Sequence, residues 1–168
     1  MEYMDVNGIP YRIVKLLGHG KGGYSYLCER DSVQYVLKQI HHEPCDYYTF
    51  GNKIEAERRD YERLRDAGIR IPVMFAIDTE RERILKEYID GDVISDRIRD
   101  HLDVTQYIPQ VEAMAHQAYA KGINIDYYPT NFVIRDGLLY YIDYECNAYS
   151  EEWNLENWGM QYWKEGKL

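Results

Sequence analysis

Two short apolar runs, Phe132-Val133-Ile134 and Leu138-Leu139-Tyr140-Tyr141-Ile142, are separated by Arg135-Asp136-Gly137. Asp-Gly between such runs is a strong hairpin signal, because both central residues of the tight turn take positive φ, which Asp and Gly tolerate. A hairpin here constrains what flanks it. Asn131 precedes the first run and Asp143 follows the second, so pairing carries both to neighbouring strand ends, where an amide and a carboxylate can face one metal. Asp126 lies five positions before Asn131 and adds a second carboxylate. An ordinary surface hairpin with acidic ends would show the same local pattern, so the reading needs support from elsewhere in the chain.

Upstream, Asn7-Gly8 reads as a tight turn and Tyr11 to Leu17 as a strand. Gly18, Gly20 and Gly23 then form G-x-G-x-x-G, with Lys21 inside it. Glycines without side chains let backbone N–H groups approach phosphates closely, although a glycine-rich hairpin with no ligand gives the same letters. A dinucleotide fold would need a helix directly after the glycines. Tyr24 to Glu29 looks like another strand instead, which favours a phosphate-covering β-hairpin.

Gln34 to Ile40 reads as a third strand, with Val36 and Lys38 in an apolar setting. A lysine on a buried face is costly without an anionic partner. Lys53 to Ala67 reads as a helix stopped by Gly68, and its stripe of Ile54, Tyr61 and Leu64 includes Glu57 but not Glu55. A glutamate on that stripe implies a cation opposite, and Lys38 is the natural choice. The alternatives are an outward edge lysine, and a solvent-facing Glu57 paired with Tyr61 or Arg58.

Residues 73 to 77 and 83 to 89 look like two further strands. The chain leaves the second near Glu87-Tyr88-Ile89, and Gly91 is expected to give a linker its freedom, so the best boundary divides residues 1–90 from 91–168. Ser95 to Leu102 and Thr105 to Lys121 read as helices. The second has Ile108, Val111, Met114, Ala115 and Ala118 as its core face and Gly122 as its stop. Between Ser150 and Lys164 a cluster of Trp153, Leu155, Trp158, Met160, Tyr162 and Trp163 is expected to form one or two short helices packed as core.

The 168 residues suffice for one domain or two small lobes, and 18 tyrosines and three tryptophans are typical of folded structure. A net charge of −9 opposes attraction of nucleic acid or an anionic membrane. Cys28, Cys45 and Cys146 show neither zinc-site spacing nor an obvious disulfide framework, and Met1 to Asn7 lacks the apolar core of a signal peptide. A reducing, cytoplasmic setting is the expectation, with no segment long enough to span a bilayer.

Together these residues resemble the protein-kinase-like superfamily, with G-x-G-x-x-G at Gly18, Gly20 and Gly23, then Lys38, Glu57, Asp126 to Asn131, and Asp143, all in the family's order. The resemblance spans roughly residues 11 to 147. It implies an α+β, two-lobed fold, with an antiparallel sheet plus one helix in the N-lobe and a reduced, mostly helical C-lobe.

Under it Lys38 would pair with the α/β-phosphates of ATP and with Glu57, while Asp126 would accept or orient the acceptor hydroxyl. Asn131 and Asp143 would hold Mg²⁺, or Mn²⁺, with Glu145 assisting. Val36 would touch the adenine ring, the backbone of Glu87 and Ile89 would meet its edge, and Lys21 would add a phosphate contact.

The departures shape the expectation. Asn124 stands where the family usually has histidine, Tyr128 replaces a lysine, and Lys86 replaces a medium apolar residue before the adenine-edge segment. Asp143-Tyr144-Glu145 replaces D-F-G and is similar to the ending found in aminoglycoside, choline and sugar phosphotransferases. Only 25 residues follow Asp143 (168 − 143), too few for a peptide-docking platform, so the chain resembles compact RIO-type and lipopolysaccharide-kinase-like enzymes. The acceptor is then a protein Ser/Thr or a small molecule. The alternatives are a pseudokinase that binds nucleotide or a partner without chemistry, and an interaction module whose loops are coincidental.

Overall fold

The computed structural model describes residues 1–20, 22–42 and 52–168. The chain folds as two compact units: Met1–Arg58 with Pro72–Tyr88, and Arg59–Ile71 with Ile89–Leu168.

Unit 1 is a six-stranded antiparallel sheet of β1 (Tyr3–Val6), β2 (Ile9–His19), β3 (Gly23–Arg30), β4 (Val33–Ile40), β5 (Met74–Asp78) and β6 (Arg83–Glu87). The strand order is β1-β2-β3-β4-β6-β5. The turn at Asn7-Gly8 has φ of 50° and 81°, the positive values that let a two-residue turn follow strand twist. Its first arm, β1, was not expected from the sequence. Val6 nonetheless packs with Tyr11, Cys28, Leu37 and Leu85, so the strand is held by burial rather than by alternation.

Helix α1 (Lys53–Asp66) opens with the Asn52 carboxamide accepting from the Glu55 amide at 3.1 Å, which satisfies one of the unpaired donors of the first turn. It is followed by Gly68 at φ 81°, where a side chain would be strained. The helix is divided between the units. Ile54 packs with Ile40 and Ile84, while Leu64 belongs to the core of unit 2.

Unit 2 holds α2 (Ile94–Arg99), α3 (Ile108–Ala120) and α4 (Met160–Lys164), with strands β7 (Asp92–Val93), β8 (Ile123–Ile125), β9 (Phe132–Arg135), β10 (Leu138–Tyr141) and β11 (Cys146–Ala148). All five expected core positions of α3 are buried, each large aliphatic among them contributing about 1.5–3 kcal/mol. Pro109 sits in its first turn, and Gly122 follows at φ 71°. The core residues of α3 pack with Phe132, Leu139, Tyr141, Leu155 and Trp163, whose indole N–H donates to the Tyr127 carbonyl at 2.9 Å. The C-terminal segment is a 3₁₀ turn at Glu151–Trp153, a wide π turn at Leu155–Gly159 and α4.

The chain is therefore α+β, with a curled antiparallel sheet and one helix preceding a helical unit of short strands, consistent with a small kinase-like fold. Two details differ from expectation. Trp153 is 52% exposed rather than core. Gly91 serves close packing rather than freedom, since a Cβ there would collide with the Ile134 carbonyl. Among the described residues no helix is long and apolar enough to cross a membrane.

Candidate functional site

Unit 1 carries the Lys38 set. On β4 the pleat alternates side chains, so Val36 and Lys38 share a face, and β4 pairs Lys38 with Ser25 on β3 and Ile84 on β6. The Lys38 ammonium donates to Glu57 Oε1, with the two side chains 15% and 13% exposed. This excludes both alternatives, because Arg58 pairs instead with Glu55, at 2.9 Å. Two charges this far from water hold each other in place, and a polyanion approaching Lys38 would find an oriented ammonium.

The glycine stretch is a β-hairpin between β2 and β3, not the start of a helix, with His19 opposite Tyr24. Inside it the Gly20 N–H donates to the Gly23 carbonyl at 3.0 Å. A Cβ on Gly22 would sit 3.3 Å from Lys38 Nζ, and one on Gly23 would strike the Gln39 carbonyl oxygen, so the tip of the hairpin runs against the ion pair. Gly18 and Gly20 differ: a Cβ on either would meet nothing within 4 Å. Lys21 lies outside the described residues.

Val36 is 8% exposed. Glu87 gives its N–H to the Val73 carbonyl at 2.8 Å and accepts the Val73 N–H on its carboxylate at 3.1 Å, so an adenine edge at Glu87 would have to be met by the backbone carbonyl. Ile89 is the first residue of the second segment of unit 2 and is buried. Lys86, on β6, is buried too.

Unit 2 carries the carboxylates, and two strand registers set where their backbone segments lie. Phe132 pairs with Tyr141 on the β9–β10 hairpin, so Asn131 and Ile142 are the next residues outward, and the Ile142 N–H donates to the Asn131 carbonyl at 2.9 Å. Cys146 on β11 pairs with Ile125 on β8, which puts Asp126 and Glu145 just beyond that pair. The expected hairpin turn is present, with Asp136 at φ 53° and Gly137 at φ 76°.

Tyr141 ties these ends together. Its hydroxyl accepts the Asp126 N–H at 3.2 Å and donates to the Glu145 carbonyl at 2.7 Å. Burial, and after it the negative charge of Asp143, push this phenol well above its ordinary pKa, with smaller contributions from Asp126 and Glu145. The phenol stays a neutral donor. Sequence reasoning missed this role, because along the chain Tyr141 is one more residue of an apolar run. Asp126 Oδ1 accepts the Tyr128 N–H at 3.1 Å, and Asn131 Nδ2 donates to the Asp126 carbonyl at 3.3 Å, which fixes the loop between them. Tyr144 is buried with its ring 4.9 Å from that of Tyr61 on α1, anchoring the turn that carries Asp143 and Glu145.

The potential ligands at these ends, Asn131, Asp143 and Glu145, offer only oxygen, the donor type that suits Mg²⁺ or Mn²⁺. Among the described residues no three His, Cys, Asp or Glu side chains converge as a cage. The set fits a magnesium ion held by one or two protein ligands and completed by phosphate oxygens and water. Asn124 is buried and gives its side-chain N–H to the Ser150 carbonyl at 2.9 Å, while its Oδ1 has no hydrogen-bond partner among the described residues. Beside Asp126 lies a cavity of about 370 Å³ that also touches Glu145, Trp153 and Trp158.

No family model matches the chain. It is 30% identical over 109 residues to a probable bifunctional tRNA threonylcarbamoyladenosine biosynthesis protein of Methanocaldococcus jannaschii, covering 65% of this chain and 20% of that one. Over 93 residues it is 26% identical to the KEOPS complex subunit Bud32 of Pyrococcus abyssi, covering 52% of this chain and 41% of the subunit. The chain thus spans less than half the length of either relative. These similarities support a kinase-like superfamily.

Proposed function

We propose that the chain is an ATP-dependent phosphotransferase that moves the γ-phosphoryl group of ATP to a hydroxyl of a protein Ser/Thr or a small molecule. The N-lobe is residues 1–90 and the C-lobe residues 91–168. The observation that carries the reading is the Lys38–Glu57 ion pair with the glycine hairpin packed against it. Its similarity to kinase-like proteins supports it independently.

In this reading Lys38, held by Glu57, contacts the α/β-phosphates, and the hairpin of Gly18, Gly20 and Gly23, free of side chains, covers them, with Lys21 adding a contact. Val36 lies on the adenine ring, and the backbone at Glu87 and Ile89 meets its edge. Asn131 and Asp143, assisted by Glu145, hold the Mg²⁺ or Mn²⁺ ion, which neutralises phosphate charge when bound. Asp126, fixed by the Tyr128 N–H, orients the acceptor hydroxyl and takes its proton. Catalysis is positioning and charge stabilisation, without a covalent intermediate.

One relative is a subunit of a complex, which supports a protein partner as well. A second reading, a nucleotide-binding pseudokinase, draws on Asn124, whose side chain is tied to Ser150. Turnover of ATP by the purified protein with Mg²⁺ separates the two. The phosphotransferase reading expects Lys38→Ala and Asp143→Asn each to lower the rate at least about 100-fold. Wild-type rates in both variants would overturn it, and stabilisation by Mg-ATP without turnover across acceptor classes would establish the pseudokinase.

A further inference from the structure

The tip of the glycine hairpin is anchored from outside it, by His41. Strand β4 ends at Ile40, opposite Gly23, and His41 extends the ladder by one step, its N–H donating to the Gly22 carbonyl at 3.3 Å. Its ring turns to the other arm, where Nε2 lies 2.7 Å from the Gly20 carbonyl oxygen. A carbonyl oxygen only accepts, so this ring nitrogen carries the proton and donates. One residue thus fixes the backbone at both Gly20 and Gly22.

The ring is itself held. It stands edge-on to His19 at 5.2 Å and to Tyr24 at 5.3 Å, and these two, opposite each other on β2 and β3, stack at 4.2 Å and 13°. The His41 carbonyl accepts from the ammonium of Lys53, which is the first residue of α1 and 2% exposed. Since α1 also carries Glu57, the partner of Lys38, the tip and the ion pair are tied to the same helix. Gly20 needs such an anchor. A Cβ there would meet nothing within 4 Å, so no side-chain packing orders it, and glycine has more backbone freedom to lose than any other residue. It is held instead by hydrogen bonds at both of its backbone groups, the N–H to the Gly23 carbonyl at 3.0 Å and the carbonyl from His41.

We propose that His41 is the positioning residue of the glycine hairpin, its ring N–H holding the tip beside Lys38 in the place from which the hairpin covers the phosphates of a nucleotide. It touches no phosphate itself. Its effect is pre-organisation: a tip already ordered in the free protein does not have to be ordered when the nucleotide arrives, and binding is spared that entropy. The consequence for nucleotide binding rests on the phosphotransferase reading above; the anchoring of the tip does not.

The test compares the full-length wild type with His41→Phe, which keeps an aromatic ring but no donor, and His41→Gln, whose amide nitrogen matches the reach of Nε2. Backbone order at Gly20 and Gly22 is measured by ¹⁵N relaxation without nucleotide, and Mg-ATP affinity by calorimetry. In His41→Phe the order parameters at the tip should fall from about 0.85 to below about 0.6, while those of β4 stay rigid. Mg-ATP should bind roughly threefold to tenfold more weakly. His41→Gln should restore both, a rescue that loss of ring packing alone would not allow. Unchanged order at the tip in folded His41→Phe, or equal loss of order in His41→Gln, would overturn the anchor. A loosened tip that binds Mg-ATP as tightly as the wild type, or more tightly, would overturn the positioning role. A wild type that binds no Mg-ATP, with order lost in His41→Phe and kept in His41→Gln, upholds the anchor and removes the kinase reading.

Discussion

The hydroxyl of Tyr141 donates to the carbonyl of Glu145 at 2.7 Å across the turn that carries Asp143. The same oxygen accepts the Asp126 N–H at 3.2 Å, so one buried phenol sets the spacing of two proposed catalytic segments. Tyr141→Phe keeps the ring and removes both bonds. Urea unfolding should show a loss of about 1–3 kcal/mol, because a donor and an acceptor lose their partner.

The same phenol gives a sign for alkaline pH. Its folded pKa is raised, first by burial, so the unfolded chain loses this proton sooner. The contribution is fully present below about pH 10 and falls as pH rises beyond it. The stability of Tyr141→Phe should decline less steeply between about pH 10 and 11 than that of the wild type.

At the acidic end the relevant group is Asp78, buried, which accepts the Asn7 N–H at 2.8 Å and the Arg81 N–H at 3.0 Å. The backbone bond from Arg81, then that from Asn7, lowers its pKa. A depressed carboxylate contributes stability that is fully present above the unfolded value of about 3.9 and is lost as pH falls through the folded one. Chemical denaturation of Asp78→Asn should therefore show its deficit at pH 6 and a smaller one below about pH 3.5.

Within the glycine hairpin, Gly23 and Gly20 separate folding from binding. An alanine at Gly23 meets the Gln39 carbonyl, a backbone atom that cannot step aside, and should destabilise by about 1–3 kcal/mol. Gly20→Ala meets no protein atom within 4 Å. Its stability should stay within about 0.5 kcal/mol of the wild type, while Mg-ATP binding measured by calorimetry weakens.

Much of this was legible in the sequence because its signals are local. The Asp136-Gly137 turn, the five-residue core face of α3 and the Ile54–Glu57–Leu64 stripe are set by φ preference and periodicity, and the structure carries each. What escaped was decided by partners distant in sequence. Strand β1 is held by Val6 packing on Leu85, and the two-residue β7 exists because it pairs with β9. Strands β8 and β11 have three residues each, too short for alternation to register. Gly91 looked like a hinge because its neighbour Ile134 is 43 positions away (134 − 91). Tyr141 gains its role only once β8 meets β11.

The central proposal is that Lys38 binds nucleotide phosphate and that Asp143 holds the metal. Its most direct measurement is the thermal shift produced by ATP with and without Mg²⁺ in wild type, Lys38→Ala and Asp143→Asn. The account predicts a Mg²⁺-dependent shift in the wild type, a much smaller shift in Lys38→Ala, and a response in Asp143→Asn that no longer depends on Mg²⁺. Equal, Mg²⁺-dependent shifts in all three proteins, or none in any of them, would contradict it.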